Sequence, residues 1–173
     1  GEPSVIDEIT FSIIKDAIEK GPKLLNNLSD YDLREAIMLD ATLALNGLTM
    51  YGKQSGDWGV HSMGHELSLL FDTAHGATLS IAYPAWLKLH SSKIPNRIIK
   101  LGQGLFGVDT VEETIKQLEK VFVDLGSPIR MNEINLMDKE AELLLEQFNK
   151  NGVSGVHHKL EKSDYNTLVE LMK

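Results

Sequence analysis

The residues best suited to chemistry are His61, His65 and His75, three of the six histidines in a chain of 173 residues. Residues four apart lie on one face of an α-helix, so a helix through this stretch would direct His61 and His65 toward the same place. A turn after that helix could bring His75 to the same point. Imidazole is the commonest protein ligand for transition metals, so this spacing predicts a metal or catalytic site.

Zinc-protease chemistry does not fit the pair. That motif is His-Glu-x-x-His, with the catalytic glutamate directly after the first histidine. Here Ser62 follows His61, and Glu66 follows His65 instead, so the general base would be misplaced. The same residues also fit an alternative, a helical binding or structural module whose histidines bind no metal.

The composition narrows the classes of partner. A formal net charge of -8 argues against nucleic acid and anionic lipid, since both are bound through basic surfaces. The chain has no cysteine, so any metal must be held by histidine, carboxylate or water. No apolar run approaches the roughly 20 residues that span a membrane, and no signal peptide is visible, so a cytoplasmic location is expected.

The elements that must position these histidines are predicted to be helices. Apolar residues recur at helical spacing, and no stretch alternates with a period of two, so we expect one all-α domain over residues 1–173. Ser4 is the expected N-cap of the first helix, Gly21-Pro22 its end, and Pro84 a kink or interruption in the fourth long helix. The predicted helices cover residues 5–20, 31–52, 58–71, 77–91, 95–106, 110–125, 137–149 and 163–172.

A longer pattern around the histidines is specific to one family. It reads Gly56-Asp57-Trp58-x-x-His61-x-Met63-x-His65-Glu66-Leu67-Ser68, then Asp72-x-x-His75-Gly76-x-x-Leu79 and Tyr83-Pro84-Ala85-Trp86. This pattern resembles the iron-containing alcohol dehydrogenases, and within them the butanol-dehydrogenase branch. The resemblance implies the multi-helix C-terminal domain that this family shares with dehydroquinate-synthase-like proteins.

The resemblance also implies roles for the three histidines. In that family one aspartate and three histidines hold a divalent metal, usually iron and sometimes zinc, and the last two histidines match His61 and His75. The histidine between them, His65 here, is not a ligand in the family. It lies near the nicotinamide and is implicated in catalysis or proton transfer. The implied reaction is hydride transfer between a primary alcohol or aldehyde and NAD(P).

Two parts of the family pattern are missing. The chain has no histidine before His61 that could match the first metal-binding pair, an aspartate and a histidine four residues apart, and no G-x-G-x-x-G segment for NAD(P). We therefore expect the C-terminal part of a larger enzyme, without its N-terminal nucleotide-binding domain and inactive alone. Homodimers are common in the family. A glycerol-dehydrogenase-like relative is the alternative within this architecture.

The sequence also predicts roles for several residues near the histidines. Trp58 should lie beside the site, since it comes one helical turn before His61. Glu66 and Asp72 are near enough in sequence to accept hydrogen bonds from the imidazoles and so fix their tautomers, and the alternative for each is a solvated helix-face charge or a helix cap. Close approach of helices or cofactor is expected at four glycines, which are Gly56, Gly59, Gly64 and Gly76.

Overall fold

The computed structural model describes residues 4–173, and residues 1–3 of the predicted domain lie outside the described residues. The described part consists of α-helices and two short 3₁₀ turns without any β-strand, so the predicted all-α fold is confirmed. None of these helices combines the length and apolar character that crossing a membrane requires. The chain divides into two compact units, residues 1–55 with 96–117 and residues 56–95 with 118–173. That it forms a single domain stays a prediction.

The first unit contains helices α1 (Val5–Asn26) and α2 (Tyr31–Leu45), most of α5 (Pro95–Phe106) and the beginning of α6 (Val111–Asp124). Ser4 caps α1 as predicted. Its hydroxyl accepts the backbone N–H of Asp7, and the Asp7 carboxylate accepts the backbone N–H of Ser4. Asp30 caps α2 in a similar way by accepting the N–H of Leu33.

The second unit contains α3 (Gly59–Phe71), α4 (His75–His90), the end of α6, α7 (Asp138–Asn151) and α8 (Lys162–Met172). Helix α4 packs against α3 and α8, and α7 packs against both α3 and α8. The core between them is made of fully buried side chains, including Met63, Leu67, Ile81, Leu144, Phe148, Leu168 and Met172. The two histidine-bearing helices are therefore fixed to the best-packed part of this unit.

Two prolines lie inside helices, at positions where the sequence predicts that the helix ends, kinks or is interrupted. The prediction that Gly21-Pro22 ends the first helix is wrong, because α1 continues through Pro22 to Asn26. Helix α4 likewise runs through Pro84 without interruption. A proline removes one hydrogen bond from the helix. At Pro84 the burial of the surrounding helix against its neighbours outweighs that loss.

The second predicted helix is too long. Helix α2 stops at Leu45, where Asn46 is the C-cap and its side chain accepts the backbone N–H of Leu48. Gly47 then has a φ of 95°, which lies outside the helical region, and a 3₁₀ turn follows over Leu48–Met50. The alternative hydrogen bond that asparagine offers to the backbone, followed by a left-handed glycine, ends the helix here.

Candidate metal centre

Helix α3 presents His61 and His65, and a short turn returns the chain to place His75 at the start of α4. The turn begins at Asp72, the C-cap of α3, whose φ of 51° reverses the chain direction. The hydroxyl of Ser68 donates a hydrogen bond to the carbonyl of Thr73 at 3.0 Å, which holds the turn against the end of α3. The first residue of α4 is therefore positioned by local hydrogen bonds.

The close approach of α3 and α4 depends on a glycine. A side chain on Gly64 would put its Cβ 2.8 Å from the hydroxyl of Thr78 and 3.1 Å from the Leu79 side chain. Close approach is also present at Gly59, where a Cβ would lie 2.2 Å from the indole of Trp86, and at Gly56. Gly76 has open space around it, so no helix approaches it closely, and close approach of a cofactor there stays a prediction.

The structure brings all three predicted histidines together. One ring nitrogen from each of His61, His65 and His75 lies within 4.8 Å of the other two. The shortest of these separations joins His61 Nδ1 and His75 Nε2 at 3.2 Å. His61 is half-buried, and the other two side chains are exposed to solvent.

These distances can be compared with what a bound metal needs. Two imidazole nitrogens at ~2.0–2.1 Å from one tetrahedral ion lie roughly 3.3 Å apart. The 3.2 Å between the His61 and His75 nitrogens already meets that spacing. The donor chemistry also fits, since neutral imidazole suits iron and zinc equally.

The environment of His61 favours a neutral ring. Burial lowers the pKa of His61 below its usual value, and repulsion from the His75 and His65 rings lowers it further. The 3.2 Å contact with His75 is a hydrogen bond when one neutral ring donates its N–H to the other. A neutral imidazole is the form that binds a metal through a nitrogen lone pair.

The two acidic candidates differ from each other, since Glu66 is buried in a contact with α7 and Asp72 is an exposed helix cap, a role that the sequence allowed. The carboxylate of Glu66 is buried and accepts both of its hydrogen bonds from the side-chain amide of Asn151, at 2.9 and 3.0 Å. It therefore joins α3 to α7 and is not the tautomer-fixing partner of an imidazole. Asp72 is exposed and ends helix α3.

Sequence reasoning missed the role of Asp57. Its Oδ1 accepts hydrogen bonds from the backbone N–H groups of His157 and His158, both at 2.8 Å, and its carbonyl accepts the N–H of Val156. The segment before α3 is thus fastened to the loop between α7 and α8. The close packing of Gly155 against the Asp57 carboxylate supports the same contact. A contact between an aspartate and a segment about 100 residues away leaves no local signal in the sequence.

An apolar cavity of about 550 Å³ lies beside His61. Its walls include Leu79 and Tyr83 of α4 together with Phe122 and Leu125. The last two come from a part of the chain far from the histidines in sequence. A cavity of this size is within the range of small-molecule sites.

Comparison with known proteins agrees with this architecture. The profile of the Fe-containing alcohol dehydrogenase family, C-terminal, matches residues 3–170. The chain is 31% identical over 166 residues to the probable NADH-dependent butanol dehydrogenase 1 of Bacillus subtilis, covering 91% of this chain and 43% of that protein. It is 28% identical over 160 residues to an NADPH-dependent aldehyde reductase of Escherichia coli, covering 88% of this chain and 41% of that protein.

A solved structure extends the likeness to the fold. The crystal structure of the NADH-dependent butanol dehydrogenase A of Thermotoga maritima matches with a TM-score of 0.90 at 25% identity, over 99% of this chain and 47% of that chain. The chain spans less than half the length of these relatives. The all-helical fold, the pattern around the three histidines and the profile match agree, and the chain belongs to the Fe-containing alcohol dehydrogenase family, in its C-terminal part.

Proposed function

We propose that this chain is the metal-binding half of an NAD(P)-dependent alcohol dehydrogenase or aldehyde reductase. His61 and His75 would hold a divalent metal, iron in the first place and zinc as the alternative, and His65 would act on the reacting groups. The observation that carries the proposal is the 3.2 Å separation of His61 Nδ1 and His75 Nε2, which suits two nitrogens on one ion. The relatives' dependence on NADH or NADPH supports the redox chemistry.

The proposed division of labour among the histidines rests on the family pattern, and the half-buried position of His61 supports it for that residue. A divalent metal at His61 and His75 would supply Lewis-acid polarisation of the aldehyde oxygen. His61, half-buried and held neutral, offers its lone pair without first losing a proton. His65 is exposed, with its ring centroid 5.1 Å from that of His75, so its ring nitrogens can exchange a proton with bound substrate and with solvent.

The nucleotide-binding function is proposed to come from protein outside these residues. The chain covers 43% of the length of its Bacillus subtilis relative, and it contains no glycine-rich dinucleotide fingerprint. We therefore expect the 173-residue chain alone to bind no NAD(P) and to reduce no aldehyde. The measurement is NADPH oxidation in the presence of butanal, followed by absorbance. A rate above that of a metal-free blank would contradict this expectation.

Metal titration of the chain tests the proposal. Co²⁺ binding, followed by the visible absorption of the ion, should weaken by at least about 100-fold in His61→Ala and in His75→Ala. Losing even an outer hydrogen-bond partner of a metal ligand costs about 10–100-fold, and losing the ligand itself should cost no less. His157→Ala, which changes a histidine outside the triad, is the matched control. If all three variants bind Co²⁺ like the unchanged chain, the histidines belong to a helical module that binds no metal, and the proposal fails.

A further inference from the structure

The residue before helix α3 has an unusual backbone conformation. Trp58 has φ 62° and ψ 1°, in the left-handed region. Within residues 4–173 the other non-glycine residues with positive φ are Asp72 and Asn135, whose residue types tolerate it. A bulky aromatic residue does not adopt this conformation by preference, so the surroundings of Trp58 must impose it. An imposed backbone outlier next to the histidines motivates a functional hypothesis.

Contacts of the two residues before Trp58 fix its position. Asp57 is anchored to the 156–158 segment by three backbone N–H groups, two of them bound to its carboxylate at 2.8 Å. Gly56 lies against the indole, since a Cβ there would be 3.1–3.3 Å from three atoms of the ring system. The chain is therefore held immediately before the indole, and a larger residue at Gly56 would displace it.

The Trp58 indole does not lie in the hydrophobic core. Trp58 is 47% exposed, whereas Trp86, the other tryptophan, is 4% exposed and lies in the core. The Trp58 ring meets the His61 ring edge-on, with centroids 5.3 Å apart and an angle of 63°. An apolar surface thus stands open to solvent directly beside the imidazole that we assign to the metal.

We propose that Trp58 determines substrate specificity by packing its exposed indole against the carbon chain of the alcohol or aldehyde. The inference rests on the proposed function, in which the substrate oxygen is directed to the metal at His61 and His75. A polar centre with an adjoining aromatic surface complements a ligand that has one oxygen and an aliphatic tail. Longer chains should therefore bind more tightly, because each added methylene removes more apolar surface from water on the indole.

The test uses the 173-residue chain loaded with Zn²⁺ and a series of primary alcohols, methanol, ethanol, 1-propanol and 1-butanol. NMR of the two indole N–H signals separates Trp58 from Trp86. We expect 1-butanol to shift the Trp58 signal saturably and to leave Trp86 unchanged. The dissociation constant should fall by about twofold per methylene, since one-sided contact gives roughly half the free energy of full burial, which corresponds to about fourfold.

Trp58→Gly is the decisive variant, because glycine accepts the left-handed backbone and preserves the fold around it. It should still bind Zn²⁺, and its alcohol affinity, followed on the His65 ring protons, should no longer depend on chain length. Trp58→Phe should keep part of that dependence. An unchanged dependence in Trp58→Gly, or no Trp58 shift with any alcohol, would overturn this inference alone. If the unchanged chain binds Zn²⁺ no better than His61→Ala and His75→Ala do, the proposed function fails, and this inference with it.

Discussion

The carboxylate of Asp57 shows how one side chain can organise a site without touching the reacting groups. It satisfies the backbone N–H groups of His157 and His158, and it precedes the helix that carries His61. Its spacing of four from His61 resembles a pair of metal ligands, but its Oδ1 accepts from the 157–158 backbone and its Oδ2 accepts the N–H of Gly59. Its contribution is therefore to stability and to the position of Trp58.

Replacing Asp57 tests this structural role. Asp57→Ala removes the acceptor shared by the backbone N–H groups of the exposed His157 and the half-buried His158, so we expect a loss of about 1–2 kcal/mol in the free energy of unfolding. Asp57→Asn retains one oxygen that can accept both bonds and should lose about half as much. Urea unfolding followed by circular dichroism measures both. Equal stability of Asp57→Ala and the unchanged chain would show that the contact with the 157–158 backbone contributes nothing.

Helices α3 and α4 bring His61 and His75 together because a glycine lies where they meet. Gly64 faces Thr78 and Leu79 with no room for a methyl group, while Gly76 lies in open space at the start of α4. The two glycines flank the same histidines and belong to the same helix pair. Replacing each by alanine therefore separates two effects: at Gly64 the added methyl group meets the facing helix, whereas at Gly76 it changes only the helix propensity.

Gly64→Ala should force the helices apart. We expect it to cost about 1–3 kcal/mol of unfolding free energy, as overpacking does, and to weaken Co²⁺ binding by separating the His61 and His75 nitrogens. Gly76→Ala should be neutral or stabilising by up to about 1 kcal/mol, since alanine favours helix where space allows. Thermal unfolding and Co²⁺ titration of both variants distinguish them. The account of helix approach is wrong if the two variants behave alike.

At the start of α1, Asp7 combines a helix cap with an ion pair. The hydrogen bond from the Arg97 guanidinium holds the pKa of the Asp7 carboxyl well below its ordinary value, against the opposing effect of burial, and the Ser4 N–H lowers it further. A carboxyl whose pKa is lower in the folded chain stabilises the fold above its unfolded pKa. That contribution disappears as the pH falls through the folded pKa.

The pH dependence of stability should therefore involve Asp7. We expect Asp7→Asn to lose about 1.5–3 kcal/mol at pH 7, where the charged hydrogen bond is intact in the unchanged chain. The difference between the two proteins should shrink as the pH is lowered below about 4, the unfolded pKa of aspartate. Urea unfolding from pH 7 to pH 2 gives this comparison. A difference that stays constant over that range would exclude the lowered pKa as its cause.

For the whole molecule, helical periodicity was enough to predict the fold class and nearly all the helices. The differences fall at Pro22, which lies inside α1, and at Leu45, where an asparagine cap ends α2; α4 is not interrupted at Pro84, and a kink there stays a prediction. Spacing also predicted that His61, His65 and His75 would meet, because one helix and one turn connect them. The Asp57 contact and the cavity walls at Phe122 and Leu125 join residues far apart in sequence, so no local pattern could reveal them.

The central claim is that His61 and His75, but not His65, bind one divalent ion. The most direct measurement is NMR of the chain loaded with ¹¹³Cd²⁺ and labelled with ¹⁵N-histidine, in which a metal–nitrogen bond produces a one-bond coupling. Cadmium is a redox-inert substitute for zinc at nitrogen sites. We predict couplings to the imidazoles of His61 and His75 and none to His65. A coupling to His65, or the absence of coupling to either of the other two, would contradict the account.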